Sequence, residues 1–189
     1  GVEWLGEIPR GWEAVPLRDI AEENQQKNFA GKCRNLLSLS YGKIVKKDID
    51  SLEGLLPESF NTYQIVNWGQ IIFRLTDLQN DKRSLRVGFV DFHEPGIITS
   101  AYLAIQLSQN IHNKFVYYLL HAYDLQKVYY GMGGGVRQTL DFSNFKYLPV
   151  LLPDITEQEK IANYLDEKTT LIDKIIKKKQ KQIELLREK

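Results

Sequence analysis

The stretch Thr156–Lys189, TEQEKIANYLDEKTTLIDKIIKKKQKQIELLREK, decides the fold of this chain because it predicts one long helix. It contains no glycine or proline, and Thr156 followed by Glu159 matches the capping box that opens many helices. Its side chains fit a heptad with a positions at Ala162, Thr169, Ile176 and Ile183 and d positions at Leu165, Ile172, Lys179 and Leu186. About 33 residues at ~1.5 Å each make a rod of roughly 50 Å.

A rod of this length is longer than the core of a small domain can cover, so its apolar stripe needs a second helix. We therefore expect a spacer helix that pairs with another helix; a terminal helix that packs on its own domain is the alternative. Lys179 at a d position favours antiparallel pairing, because parallel pairing would place two Lys179 side chains opposite each other. The predicted helix-pairing interface is Leu165, Ile172, Ile176, Ile183 and Leu186.

The length and composition fit one domain of ordinary size with a helical appendage. The chain has 189 residues, of which 43% are hydrophobic and 26% charged, as in an ordinary globular protein. No apolar run approaches the ~18 residues of a membrane span, and no secretory signal opens the chain. The lone Cys33 allows no intrachain disulfide, which suits a reducing cytoplasm. We predict a domain over residues 1–152, a helix over 153–189 and a cytoplasmic location.

The charge is unevenly distributed along the first quarter of the chain. Residues 1–23 carry six acidic side chains and two arginines, a balance of −4. Residues 24–47 carry six basic side chains and no acidic one, a balance of +6. An anionic partner could therefore bind one face although the net charge of the chain is +1. Solvated lysines at the surface are the alternative interpretation.

The order of apolar and turn-forming segments predicts an α+β domain with a mixed β-sheet. Glycine and proline exclude a helix from residues 4–12, and residues 16–23 fit a short helix or a strand. The helix-like periodicity of residues 113–130 precedes a glycine loop, 131–135, and a helical turn, 142–145. The predicted strands are 36–40, 63–68, 70–75, 87–92, 97–107 and 147–152.

Three catalytic patterns fail on inspection. The glycine loop lacks the Gly-Lys-Ser/Thr of a phosphate-binding loop, and no two prolines are adjacent as in the target site of adenine methyltransferases. Asp154 and Asp166 resemble a nuclease pair, but 12 residues of helix would separate them by about 18 Å, too far to share one Mg²⁺. The three histidines and Cys33 show no metal-ligand spacing. We predict no catalytic residue and no metal site.

Polar residues instead cluster around two loops, in a pattern that suits DNA binding. Arginine and glutamine can read guanine and adenine edges with two hydrogen bonds, whereas lysine and backbone N–H groups near glycine suit phosphates. Solvated loop charges are the alternative. The residues that flank the insert 76–86 and the glycine loop are Arg74, Lys82, Arg83 and Arg86, and Arg137, Gln138 and Lys146.

Several motifs, in this order along the chain, resemble one known family. They are Trp4-Leu5-Gly6-Glu7-Ile8-Pro9 with Gly11-Trp12, the run from Arg74 to Arg86, Gly133-Gly134-Gly135-Val136-Arg137-Gln138 with Leu148-Pro149, and the run from Pro153 to Leu165. Together they resemble the specificity subunit of Type I restriction–modification enzymes. The resemblance covers one target recognition domain followed by one spacer helix.

The resemblance implies a DNA-binding protein without catalytic activity of its own. It implies partners: double-stranded DNA, methyltransferase (M) subunits that bind S-adenosylmethionine and methylate adenine, and a restriction (R) subunit, with ATP and Mg²⁺ used by these partners only. Family members carry two domain-plus-helix units with antiparallel helices. This chain has one unit, so we expect either a half-subunit that forms a homodimer through its helix or a piece of a two-domain protein, from a bacterium or an archaeon.

From the loops and the resemblance together we predict one DNA-binding face. Its residues are Arg74, Lys82, Arg83, Arg86, Tyr102, Arg137, Gln138, Ser143 and Lys146. The alternative function is the DNA-recognition fragment of a larger fused methyltransferase or nuclease, with the catalytic part outside this sequence.

Overall fold

A computed structural model describes residues 5–29, 31–49, 59–78, 83, 85–132 and 139–187. Two 3-10 turns lie at Leu17–Asp19 and Val128–Gly131. The strands and helices are β1 Glu13–Pro16, β2 Ala21–Glu23, β3 Leu37–Ser40, β4 Lys43–Lys46, β5 Gln64–Val66, β6 Ile71–Phe73, β7 Val87–Phe89, β8 Gly96–Ile98, β9 Leu103–Leu107, α1 Asn113–Leu125, α2 Phe142–Phe145, β10 Pro149–Leu152 and α3 Ile155–Arg187.

A four-stranded sheet in the order β2-β9-β6-β7 lies at the centre of the domain. Three two-stranded ladders accompany it: β1 with β10, β3 with β4, and β5 with β8. The ladders between these strands are antiparallel, and a single bridge between Leu36 and Ile97 supplies parallel pairing. The predicted α+β class with a long final helix is confirmed, and within the described residues the sheets are mixed only through that bridge.

The central sheet separates two apolar cores because successive side chains of a strand point to opposite faces. In β6, Ile71 and Phe73 belong to the larger core, which also contains residues of α1, α2 and β10. Ile72, between them, belongs to the smaller core, which is formed with β3 and β4. This strand therefore reads as a continuous apolar run instead of an alternating pattern.

The predicted strand 97–107 is wrong in one respect, because the structure divides it into β8 and β9. Residues 99–102 form a turn between them, in which the N–H of Tyr102 donates to the carbonyl oxygen of Thr99 at 3.2 Å. The N–H of Ala101 also donates to the Thr99 hydroxyl at 3.3 Å. A threonine at the first position of such a turn offers the backbone an alternative to strand pairing.

Tyr41 and Gly42 form a turn that leads into β4, a strand that the sequence did not predict. Tyr41 and Gly42 both have positive φ, 47° and 75°, as two-residue hairpin turns require. The hairpin β3–β4 packs over the smaller core, and Gly88 of β7 makes room for it. A Cβ at Gly88 would lie 2.6 Å from Leu39 Cδ1 and 2.8 Å from Ile44 Cδ1.

The predicted long helix is confirmed as α3, but its cap is Asp154 and not Thr156. The N–H of Glu157 donates to Asp154 Oδ1 at 3.0 Å, and the N–H of Gln158 donates to the Asp154 carbonyl oxygen at 3.0 Å. Aspartate caps helices at least as well as threonine, and here it places the helix start one residue before Thr156. No helix in the described part of the chain is long and apolar enough to cross a membrane.

Only the first part of α3 packs on the domain. Ala162 is buried in the larger core, and Gln158 is buried with its amide nitrogen donating to the Pro153 carbonyl oxygen at 2.9 Å. Every residue from Lys174 to Arg187 is exposed. About 14 residues of helix, roughly 21 Å, therefore project beyond the domain.

Candidate nucleic-acid interface

One end of the central sheet brings two of the predicted DNA-binding residues together. The last register pair between β6 and β9 there is Phe73 with Leu103. Arg74 follows Phe73 and Tyr102 precedes Leu103, so their backbones lie side by side at this end of the sheet. Both side chains are half-buried, and Tyr102 packs against the smaller core. The turn 99–102 and the insert 76–86 thus leave the sheet at neighbouring positions.

A backbone hydrogen bond joins the residue before the insert to a residue that follows the glycine loop. The N–H of Leu140, just after the glycine loop, donates to the carbonyl oxygen of Leu75, just before the insert, at 3.0 Å. Leu75 and Leu140, which lie 65 positions apart in the sequence, are therefore neighbours in the fold. Of the predicted residues around the insert and the glycine loop, Arg83 is exposed, and Lys82, Arg137 and Gln138 lie outside the described residues.

Ser143 and Lys146 lie on and just after the short helix α2. The Ser143 hydroxyl donates to Asp141 Oδ1 at 2.6 Å, and the N–H of Asn144 donates to the same oxygen at 3.1 Å. Both hydrogen bonds, the Ser143 bond first, hold the pKa of the Asp141 carboxyl below its usual range. Ser143 therefore supports the cap of α2, although its side chain is exposed.

Lys146 belongs to a small cation–aromatic cluster that the sequence did not predict. Its Nζ lies 5.3 Å from the centre of the exposed Tyr147 ring, and the guanidinium carbon of Arg18 lies 4.9 Å from the same centre. The N–H of Arg18 donates to the Lys146 carbonyl oxygen at 2.9 Å. Adjacent Lys and Tyr residues were visible in the sequence, but Arg18 joins them only through the fold. The cluster offers two cations to an anionic ligand.

A second unpredicted contact connects the basic segment 24–47 with this end of the sheet. Lys27 Nζ lies 3.2 Å from the hydroxyl oxygen of Ser100, in the turn that precedes Tyr102. The uneven charge along the sequence was the available signal, but it did not indicate which lysine lies near the turn. At least one cation of that segment therefore lies beside the predicted interface.

Arg86 is not a surface residue, and its prediction as a DNA contact is wrong. The side chain is fully buried, and it donates to the carbonyl oxygens of Arg74 at 3.1 Å, Thr76 at 2.7 Å and Asp77 at 3.2 Å. Its Nε donates to the Tyr130 hydroxyl at 2.9 Å. The buried guanidinium needs such acceptors because water does not reach it. The buried guanidinium therefore cross-links the backbone at the start of the insert.

The backbone of Arg86 is held as well. Its N–H donates to Asp124 Oδ2 at 2.5 Å, and burial raises the pKa of the Asp124 carboxyl more than this hydrogen bond lowers it. Asp124 lies on α1 and Tyr130 in the 3-10 turn just before the glycine loop. One buried arginine thus connects the base of the insert with the segment that leads into the glycine loop.

The acid pair that resembled a nuclease motif has structural roles. Asp154 caps α3, and Asp166 binds Lys114 and Tyr118 of α1. Among the described residues, no group of three or more His, Cys, Asp or Glu side chains is arranged to hold a metal ion.

The apolar stripe of α3 has a first part that packs on the domain and a second part that is exposed. Of the a positions, Ala162 is buried against the domain and Thr169 Oγ1 lies 3.2 Å from the Tyr118 hydroxyl of α1. Leu165, assigned to the pairing interface, is half-buried on this first part of the helix. The exposed part of the stripe begins further on, with Ile172 at 54%, Ile176 at 47%, Ile183 at 50% and Leu186 at 73% exposure.

An α+β domain in which the residues flanking two polar loops meet beside the central sheet, followed by a long helix that leaves the domain, has the architecture of a module carried on a helical spacer. The chain belongs to the family described as Type I restriction modification DNA specificity domain, whose model matches residues 9–185. This match confirms the family that the sequence motifs resembled.

The chain is also similar to individual proteins of Type I restriction–modification systems. The chain is 28% identical to the Type I restriction enzyme MjaVIII specificity subunit of Methanocaldococcus jannaschii, over 98% of this chain and 45% of that protein. Its fold is similar to a chain of a type I R-M system, with a TM-score of 0.56 and 13% identity over 90% of this chain and 41% of the other. The HsdS subunit from Thermoanaerobacter tengcongensis has a TM-score of 0.54 and 13% identity over 89% and 40% of the two chains. The chain thus spans less than half the length of these relatives.

Proposed function

We propose that this chain recognises a DNA sequence as the specificity component of a Type I restriction–modification complex. Partner M subunits would then methylate adenine at the recognised sequence, and an R subunit would cleave. The observation that carries the proposal is the Leu140–Leu75 hydrogen bond, which brings together the residues that flank the insert and the glycine loop. The family match over residues 9–185 supports it.

The side chains around these loops have the chemistry that DNA recognition needs. Arg74 and Arg83 can donate two parallel hydrogen bonds to a guanine edge, and Lys27, Lys146 and Arg18 can bind phosphates. Arg137, Gln138 and Lys82 stay in the proposed interface on sequence grounds alone. Tyr102 and Ser143 contribute by shaping the adjoining turn and the start of α2.

Under this proposal the chain supplies recognition and its partners supply chemistry. S-adenosylmethionine, ATP and Mg²⁺ would be bound by the M and R subunits, and this chain would need no cofactor. A fused methyltransferase or nuclease is the less favoured alternative, because a family of DNA specificity domains accounts for residues 9–185. A bacterial or archaeal cytoplasm is the location we propose, where DNA is accessible and Cys33 stays reduced.

The projecting part of α3 supports the proposal of a paired assembly. Antiparallel pairing with a second copy, or with an equivalent unit of a longer protein, would place two recognition domains at opposite ends of the helices. A homodimer would read an interrupted palindrome; two different units would read two different half-sites.

Methylation-site mapping by long-read sequencing tests the proposed function. Cells that carry this chain with its M subunit should methylate adenine within one interrupted sequence, and cells without the chain should lose that pattern. Arg83→Ala should relax the methylated sequence at one position if this arginine reads a base, because such a contact is worth ~1–3 kcal/mol. Lys146→Ala should weaken DNA binding for all sequences alike and reduce its salt dependence.

Three results would contradict the proposal. They are an unchanged methylation pattern without the chain, unchanged affinity and sequence for Arg83→Ala, Lys146→Ala and Arg137→Ala together, or methyl transfer by the pure chain alone. The matched control is Lys178→Ala, which removes one exposed cation from the projecting helix and should leave the recognised sequence unchanged.

A further inference from the structure

The junction between the domain and α3 consists of apolar packing up to Ala162 and polar contacts beyond it. Within the described residues, Ala162 is the last buried apolar side chain of the helix. From Ala162 to Arg187 the helix extends by about 37 Å. A tilt of about 10° around Ala162 would displace its far end by roughly 6 Å. Contacts that fix this angle therefore have a large geometric effect.

The first such contact is Asp166, both of whose carboxylate oxygens are bound by α1. Lys114 Nζ lies 2.7 Å from Oδ2, and the Tyr118 hydroxyl donates to Oδ1 at 2.6 Å. Burial, and then the hydrogen bond to Asp166, raise the pKa of Tyr118, so its phenol stays protonated as a donor. The side chains of Lys114 and Asp166 are only 29% and 33% exposed, which limits screening by solvent.

The second contact reaches the helix from the other side of the central sheet. Lys43, in the first position of β4, places Nζ 2.7 Å from Asp173 Oδ2. Asp173 lies seven residues, or two helical turns, after Asp166, about 10 Å along the axis. The side chains of Lys43 and Asp173 are 65% and 48% exposed, so this pair biases the helix direction and contributes little to folding.

The two contacts do not belong to a packed interface. Between them lies a cleft of about 330 Å³ lined by residues that include Phe89, Asp91, Tyr117 and Thr170. Asp91 also approaches Lys114, at 3.9 Å. Beyond Ala162 the helix is thus contacted by side chains from each layer of the domain, and these contacts together fix its direction.

We propose that Lys43, Lys114 and Tyr118 clasp Asp173 and Asp166 to set the angle between the recognition domain and the projecting helix, and thereby the spacing of the two DNA half-sites. The spacing part rests on the proposed function; the angle does not. Lys43, Lys114, Tyr118, Asp166 and Asp173 are in this view positioning residues, which act on DNA recognition without touching DNA.

Pulsed electron resonance on the full chain tests the angle directly. Cys33 is replaced by Ser, spin labels are attached at exposed positions Gln109 in the domain and Lys181 in the helix, and labelled protein is diluted with unlabelled protein. The unmodified clasp should give one narrow distance distribution. Asp166→Asn with Asp173→Asn should broaden or shift it, and each single variant should do so less.

Two further variants separate the clasp from general effects of charge. Glu167→Gln with Glu184→Gln removes two acids from the same helix outside the clasp and should leave the distribution narrow. The charge exchange Lys43→Asp with Asp173→Lys should restore the narrow distribution that Asp173→Lys alone loses. An unchanged distribution in the Asp166→Asn, Asp173→Asn protein, or no recovery in the charge exchange, would overturn the clasp.

Selection from DNA with randomised spacer lengths tests the consequence for recognition. The wild type should select one spacer length, and the Asp166→Asn, Asp173→Asn variant should accept additional lengths while it keeps the same half-site bases. If the variant shows a broadened distance distribution but keeps the wild-type spacer, the link to spacing is overturned. If the wild type selects no sequence at all, the proposed function fails, whereas the distance measurement still decides the clasp.

Discussion

The Nε of Arg86 donates to the hydroxyl oxygen of Tyr130 at 2.9 Å, and this fully buried cation joins the start of the insert to the segment that precedes the glycine loop. The same guanidinium binds three carbonyl oxygens at the start of the insert, and Tyr130 lies one residue before Gly131. A rigid base of this kind lets loops present their side chains without a large loss of entropy on binding.

Replacement of Arg86 should therefore destabilise the domain. Arg86→Ala removes the donor of three part-buried carbonyl groups and empties the space of a fully buried side chain, so it should lower the free energy of unfolding by about 3 kcal/mol or more. The free energy of unfolding of Arg86→Lys should lie between those of the wild type and Arg86→Ala, since an ammonium group cannot donate in the planar geometry of the guanidinium. Denaturant unfolding measures both. The exposed Arg34 is the control: Arg34→Ala should change stability by less than ~0.5 kcal/mol, and an equal effect of both alanine variants would refute the buried role.

Gly88 should tolerate no side chain, because β7 passes directly under the hairpin β3–β4. Gly88→Ala would place Cβ 2.6 Å from Leu39 Cδ1, so the buried Leu39 and Ile44 side chains must move, at a cost of about 1–3 kcal/mol. Gly131→Ala is the matched control, since among the described residues, its chain neighbours aside, no atom lies within 4 Å of its added Cβ. In thermal unfolding, Gly88→Ala should have a clearly lower melting temperature than Gly131→Ala, and similar melting temperatures would argue against the tight contact.

The stability of the domain should fall as the pH drops below about 6.5, because of His121. Burial lowers the pKa of this histidine in the folded state, an effect that exceeds the opposing charge of Asp124. The unfolded chain, with an ordinary histidine pKa of about 6.5, then binds more protons than the folded one. The contribution of neutral His121 to the free energy of unfolding is fully present above that pH and is lost as the pH falls towards the folded-state pKa.

The comparison of His121→Gln with His93→Gln isolates this contribution. His121→Gln should flatten the dependence of unfolding free energy on pH below 6.5, whereas His93 is exposed and its replacement should leave the slope as in the wild type. A wild-type slope in the His121→Gln protein would show that another group causes the loss.

Local patterns in the sequence were sufficient for much of the fold. The apolar period of residues 156–189 and the run around Ile71–Phe73 predicted α3 and β6, because helix and strand periodicity are local properties. Short-range competition explains the local errors: Asp154 outcompetes Thr156 as the cap, and Thr99 turns the chain inside an apolar stretch.

The site was less predictable because it depends on contacts between distant residues. Arg86 resembled the other polar residues of the insert, and only the fold shows that Tyr130, 44 positions further on, buries it. Arg18 and Tyr147 meet across 129 positions, through β1 and β10. Sequence composition predicted a basic interface, but the division between surface cations and buried ones required the tertiary structure.

The projecting half of α3 should hold two units together. Ile176 and Ile183 are 47% and 50% exposed, seven residues apart on one face of the helix, where the domain no longer covers it. Removal of such side chains from water contributes ~1.5–3 kcal/mol each, and a buried carboxylate in their place is strongly unfavourable. We therefore expect a dimer of the wild type at micromolar concentration and a monomer of the Ile176→Glu, Ile183→Glu variant.

Sedimentation of three proteins tests this pairing and its face on the helix. Lys174→Glu with Lys181→Glu places two carboxylates at the same seven-residue spacing on exposed positions about 150° around the helix from the isoleucines, and this control should dimerise like the wild type. Lys179→Leu should strengthen the dimer, because a lysine at a d position is costly to remove from water. In an antiparallel pair the two Lys179 side chains lie apart, so their mutual repulsion does not contribute to this effect. A monomeric wild type, or a glutamate variant that dimerises equally well, would mean that the exposed isoleucines do not form the contact between units.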